Sequence, residues 1–145
     1  MAFFGVFGGS REARARFEGR TAFLSAPALH FSIDGRVALC HDGAKTLEEL
    51  AIANAPFFAA TACPHQAKLG SERLSSLFRR YGKRFKRYIP CPCAFALYDA
   101  KRTMLFFGGT HGEKCFMEEM DGAILFSSLP DLLREPIPVD FAILK

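Results

Sequence analysis

Two groups of residues in this chain are of types that do chemistry. The first is sulfur and imidazole: Cys40, Cys63, His65, Cys91 and Cys93. Thiolates with a ring nitrogen are a donor set that zinc accepts, and a thiol near an imidazole, as Cys63 is to His65, is a pair used in covalent catalysis. The spacing argues against both. Cys91-Pro92-Cys93 lacks the two-residue gap of structural zinc sites, and its two thiols point the same way along an extended segment. Nothing around Cys63-Pro64-His65 marks a nucleophile. These side chains read as buried free thiols, with no metal and no cofactor, and Cys115 reads as a strand residue. The five cysteines are odd in number and irregularly spaced. The start of the chain has no basic segment ahead of an apolar one, so no secretory signal is expected. Together these point to a reducing cytoplasm.

The second group is cationic. Residues 79–87 read RRYGKRFKR, with six basic residues in nine. The whole chain carries 19 basic and 15 acidic residues, a net charge of +4, so the excess sits in that one stretch. On a helix, Arg79, Arg80, Lys83, Arg84 and Arg87 fall opposite an apolar stripe. They form either a solvated face or a docking surface for an acidic partner or for nucleic-acid phosphate. No nucleic-acid module signature accompanies them, and the sequence shows no exposed aromatic stacking platform, so nucleic acid is the minor alternative.

The elements that must position these groups can be read from pattern. At 145 residues and 50% hydrophobic, the chain suits a single domain over residues 1–145. No run is long enough to span a membrane. Phe3 to Phe7 reads as a buried strand ended by Gly8-Gly9. Ser10 to Arg20 is polar and weakly helical. Ala28 to Ile33 and Arg36 to His41 form a hairpin across Asp34-Gly35. Thr46 and Glu49 make a capping box for a short helix to Asn54. Pro56 to Ala62 is a β-like run. Leu74, Leu77, Phe78, Tyr81 and Phe85 recur at three- and four-residue steps, which predicts a helix over Glu72 to Tyr88, ended by Pro90 and Pro92. Cys93 to Tyr98 and Thr103 to Phe107 pair across the turn Asp99 to Arg102. Lys114 to Met117 and Ala123 to Phe126 pair across Asp121-Gly122. Leu129 to Arg134 reads as a short helix, and Val139 to Leu144 as one docking strand. Strands in hairpins with helices between them give an α+β fold, not a doubly wound parallel sheet.

Ala94-Phe95-Ala96-Leu97-Tyr98-Asp99, then Gly112-Glu113-Lys114, then Phe126-Ser127-Ser128, in this order and spacing, resemble the glutaminase domain of asparagine synthetases, a class II glutamine amidotransferase. That family has a strand of the form FAFALYD, a GxK segment and an FSSE-like end. Upstream, Gly5-Val6-Phe7-Gly8 is similar to its Gly-Ile-Phe-Gly opening. Val37 to Gly43 lies where it has an apolar strand ending in Asn-Gly, and Ser71-Glu72 where it has an acidic turn. The resemblance runs from about residue 3 to about residue 134 and is weak over 10–34. It implies a four-layer αββα sandwich of two antiparallel sheets, of the amino-terminal nucleophile (Ntn) hydrolase kind, reduced in size.

The family's chemistry uses a first-residue Cys whose thiol attacks the glutamine amide and whose own α-amine is the base. An Asn and a Gly hold the oxyanion, and an acidic residue binds the substrate amine. Carried over, the nucleophile position is Phe4, with other residues ahead of it. The Asn is Asp42, whose carboxylate repels an oxyanion, and Gly43 is kept. The acidic residue is Glu72, and the substrate's Arg has no counterpart. The Arg-Asp pair before the GxK segment is Gly108-Gly109, and the Glu after Ser-Ser is Leu129. Phe4, Asp42, Gly43 and Glu72 thus mark a vestigial pocket with no catalytic residue. The resemblance implies a non-catalytic binding or structural module whose partner is an asparagine-synthetase-like, ATP-dependent amide-forming enzyme or a second copy of itself. On this reading the amide-forming domain is expected to be a separate polypeptide. The alternative is an active amidohydrolase or amidotransferase that uses a non-standard residue.

Overall fold

The structure is a computed structural model and describes residues 2–9, 11–21, 28–31, 36–41, 57–62 and 71–145. The first strand, β1 (Phe3–Gly8), is buried along nearly its whole length. Gly8 and Gly9 have φ of 73° and 89°, and they turn the chain into α1 (Arg11–Thr21). These left-handed values suit a residue without Cβ. Then follow β2 (Ala28–Phe31), β3 (Val37–His41), β4 (Phe57–Ala62) and α2 (Ser71–Tyr81). The second half holds β5 (Cys93–Asp99), β6 (Met104–Thr110), β7 (Cys115–Met120), β8 (Ala123–Ser127), β9 (Ile137–Val139) and β10 (Phe141–Leu144).

The strands form two sheets. One has six strands in the order β2-β3-β1-β8-β7-β9, the other four in the order β10-β6-β5-β4. Every pairing among the described strands is antiparallel. The expected hairpins form. Phe31 faces Ala38 across β2 and β3. Asp121 and Gly122 have φ of 51° and 77°, the positive pair of a tight two-residue hairpin. At the β5–β6 turn, the Asp99 carboxylate accepts the Lys101 and Arg102 amides and the Arg102 guanidinium.

Three apolar clusters separate four layers, because successive side chains on a strand point to opposite faces. Between the sheets lie Phe3, Phe7, Val37, Leu39 and Phe126 from one side and Ala94, Ala96, Tyr98, Leu105 and Phe107 from the other. On the outer face of the six-stranded sheet, Phe4, Val6, Ala38, Cys40 and Leu125 pack against Ala13 and Phe17 of α1. On the outer face of the four-stranded sheet, Phe95, Leu97, Met104 and Phe106 pack against Leu74 and Phe78 of α2 and against Phe85. Strands buried on both faces read as continuous apolar runs, which is why FFGVFG shows no alternation.

Three expectations are corrected. The helix predicted to Tyr88 is α-helical only to Tyr81. Gly82 takes φ 60°, and Gly82–Tyr88 winds as a 3-10 turn. The break re-aims the stripe. Phe85 is fully buried, 5.6 Å from Phe78 and 5.3 Å from Phe95 between ring centroids. Leu129 to Arg134 is not a helix: only Pro130–Leu132 makes a 3-10 turn. The tail is two strands in two sheets. β9 pairs with β7 in one sheet and β10 with β6 in the other, with Asp140 alone between them. The helix expected over Thr46 to Asn54 lies outside the described residues. Among the described residues no helix is long and apolar enough to cross a membrane.

Candidate functional site at the start of strand β1

β1 is central in its sheet, between β3 and β8. Phe3 pairs with His41, and Phe4 lies between Cys40 and Ser127. The strand's start is clamped by the β8 end. The Phe3 amide donates to Ser128 Oγ at 2.9 Å, and the Phe3 carbonyl accepts the Ser128 amide at 3.0 Å and the Ser127 hydroxyl at 3.2 Å. Ser127 Oγ also accepts the Leu129 amide at 3.0 Å. The Phe126-Ser127-Ser128 segment therefore fastens the β1 start. The resemblance marked these serines only as a match; their hydrogen bonds belong to the tertiary fold.

Phe4 is 0% exposed, and its ring centroid is 5.0 Å from that of Phe17 in α1. Its side chain points away from the four-stranded sheet, into the outer layer. The space between the sheets at this end is filled by other rings. Phe3 lies 6.4 Å from Phe126, and Phe126 stacks on Phe107 at 5.8 Å and 24°. Gly5 faces Phe126 directly across the strands, and the Phe126 ring occupies the space a Cβ on Gly5 would need. A glycine here lets an aromatic ring from the neighbouring strand lie on the backbone.

The other positions that the resemblance assigns to a vestigial pocket are Asp42, Gly43 and Glu72. Asp42 and Gly43 follow directly on β3 but lie outside the described residues. Glu72 belongs to the first turn of α2, on the outer face of the other sheet. Gly108 and Gly109 in β6 have a different role from the charged pair the resemblance expects there. The Gly109 amide donates to the Asp140 carbonyl at 2.9 Å, where the tail crosses between the sheets. A Cβ on Gly108 would meet the Asp140 carbonyl, and one on Gly109 the Glu113 carbonyl. A glycine pair inside a strand is the sequence signal for such a close approach.

The described cysteines are Cys40, Cys93 and Cys115, which are buried as expected, and Cys91, which is only half-buried; none of the four is in a disulfide. Burial pushes the Cys115 thiol up to about 12, against hydrogen bonds to the Phe116 and Ser127 carbonyls that act to lower it. Such a thiol is protonated and unreactive near neutrality. Among the described residues no cluster of His, Cys, Asp or Glu could hold a metal ion. Cys63 and His65 lie outside them.

The basic run is divided between the end of α2 and the 3-10 turn, with Arg79, Arg80, Lys83, Arg84 and Arg87 all exposed. Lys86 turns inward, donating to the Asp140 carbonyl at 2.9 Å and lying 5.6 Å from the Phe141 ring centroid. Contrary to the sequence expectation, an aromatic pair does stand at this surface. The rings of Tyr81 and Tyr88 stack with centroids 3.5 Å apart and 7° between planes, and Tyr88 is 47% exposed.

Solved structures are similar to this chain, among them one that is similar over nearly the chain's whole length. It is a glutamine phosphoribosylpyrophosphate amidotransferase from B. subtilis, complexed with ADP and GMP. The TM-score is 0.66 at 13% identity, covering 99% of this chain and 47% of that one. The fold is an Ntn amidotransferase-like sandwich. The chain spans about half the length of that protein, 47%. No family model matches the chain, and no curated protein matches it.

Proposed function

We propose that this chain is a non-catalytic, glutaminase-like domain that works as a binding or structural module. Its partner on this reading is an asparagine-synthetase-like, ATP-dependent amide-forming enzyme or a second copy of itself. One observation carries the reading. The position that the resemblance matches to the nucleophile is Phe4, fully buried against Phe17 beneath α1. A phenyl ring has no atom to attack an amide. The nitrogen of residue 4 is a peptide nitrogen, not the free amine that serves as base in this chemistry. The two described hydroxyls that bond the β1 start, on Ser127 and Ser128, are engaged with the Phe3 backbone.

Incubation with glutamine and with 6-diazo-5-oxo-norleucine tests the first half. No glutamate release and no covalent mass increase are expected. Glutamate release, or labelling at any residue, overturns it in favour of an active enzyme with a non-standard nucleophile. Light scattering and co-purification with a co-expressed synthetase test the second half. A stable homodimer or a complex is expected, and a monomer that captures no synthetase overturns it.

A further inference from the structure

The Tyr81–Tyr88 stack exists because the helix breaks. In a continuous α-helix, residues seven apart are separated along the axis by about 10 Å, too far for ring contact. Gly82, at φ 60°, starts the 3-10 turn that brings Tyr88 back onto Tyr81. The same turn buries Phe85, so the core explains the break. The core also takes one edge of Tyr81, which is half-buried against the same cluster, but it does not explain an aromatic ring at Tyr88, out at the surface. The Arg80 guanidinium lies over the Tyr81 ring, 5.4 Å from its centroid. The tyrosine rings leave no room between them, so Arg80 takes the other face of Tyr81. The order is Arg80, Tyr81, Tyr88, and the outer face of Tyr88 ends the stack, with the residue 47% exposed.

Exposed cations lie on the same short segment as this ring. Lys83, Arg84 and Arg87 make no ion pair among the described residues, and Arg80 is held only against the ring. A flat π-face at the end of a stack takes another flat π-system, and four cations beside it take anions spaced along a chain. One class of partner offers both: a polyanion whose bases are unstacked. A duplex offers the phosphates but not the open base faces, and an acidic peptide offers the charge without the planar rings.

We propose that residues 79–88 form a binding surface for single-stranded nucleic acid. Tyr88 extends its stack onto a base, and Arg80, Lys83, Arg84 and Arg87 neutralise the flanking phosphates. The inference does not depend on what became of the chemistry near Phe4.

Fluorescence anisotropy tests it with labelled twelve-nucleotide oligo(U) and oligo(dT), a duplex of equal length, and a poly-glutamate peptide, over a range of salt. Binding to the single strands is expected, with log affinity falling with log salt at a slope of about −0.7 per phosphate contact. Tyr88→Ala should weaken it about tenfold, the loss of one base–aromatic stack, and Tyr88→Phe should leave it intact. Arg84→Glu with Arg87→Glu should weaken it and flatten the salt slope. Preference between the two oligonucleotides tells RNA from DNA, and binding of either supports the proposal. Melting curves of each variant show that the fold persists. The proposal is overturned by no binding at low salt, by an equal affinity for the duplex or poly-glutamate, or by a Tyr88→Ala protein that melts normally and binds unchanged.

Discussion

Phe4→Ala asks whether Phe4 is a core residue or a plug in an open pocket. The ring is 0% exposed and lies on the central strand of a six-stranded sheet, under a helix whose Ala13 and Phe17 are also buried. β1 is fastened on both sides, to β3 and β8, so the backbone cannot close over the space left behind. Phe→Ala in such a site costs about 3–5 kcal/mol, as lost transfer energy plus an unfilled cavity. The contact with Phe17 at 5.0 Å adds a specific component of about 0.5–1.5 kcal/mol. We expect a loss of about 4 kcal/mol in urea unfolding followed by far-UV circular dichroism, with an unchanged slope. Should that variant fail to fold, Phe4→Leu and Phe17→Leu, alone and together, give the coupling directly. It should fall in the same range of about 0.5–1.5 kcal/mol. A Phe4→Ala loss under about 1 kcal/mol with a normal slope, or zero coupling, would refute the reasoning, because a ring lining an open pocket has little packing to lose. Phe4→Cys should restore no glutamine hydrolysis, since its thiol lies beneath α1 and its nitrogen stays in a peptide bond.

Gly109→Ala drives a Cβ into the Glu113 carbonyl and should cost about 2–3 kcal/mol. Faster amide exchange across β10 than in the parent protein would locate the damage at the crossover. Glu118→Ala removes the partner of Arg20, a pair with side chains only 10% and 15% exposed, and also the acceptor for the Arg134 amide. Leaving that guanidinium without a carboxylate, with the Leu132 carbonyl still accepting from it, should cost about 3 kcal/mol, and a thermal melt unchanged from the parent would contradict the pairing. Cys115 makes stability pH-dependent in the alkaline range. Below its ordinary value of 9.0 the thiol is protonated whether folded or unfolded; above it the unfolded thiol ionises while the buried one holds its proton to about 12. The stability this group confers is therefore complete below 9.0 and lost as pH rises toward about 12, with a slope of at most about 1.4 kcal/mol per pH unit. The difference in unfolding energy between the parent and Cys115→Ala should shrink across that window, and a constant difference would count against the burial.

Much of the architecture is local chemistry that the chain states openly. Asp121-Gly122 demands a tight hairpin because both residues tolerate positive φ. The run from Cys93 to Asp99 and its return through Phe107 announce a buried pair of strands. Leu74 and Phe78 announce the apolar face of α2, and Arg79 and Arg80 beside them stay in water, as the pattern requires. These features depend on neighbours within a few residues, and there the sequence alone was sufficient. What it could not state was which face a wholly apolar strand turns to which layer. FFGVFG has no polar residue to betray an outside, so only the stacked sheets decide that Phe3 goes between them and Phe4 goes under α1. The tail is similar: one continuous apolar run becomes two strands because β7 and β6, far back in the chain, offer edges in different sheets on either side of Asp140. Gly82 could be seen as a weak point in a helix. That the helix would break there was decided by the buried site waiting for Phe85, and the break in turn set Tyr88 upon Tyr81 at the surface.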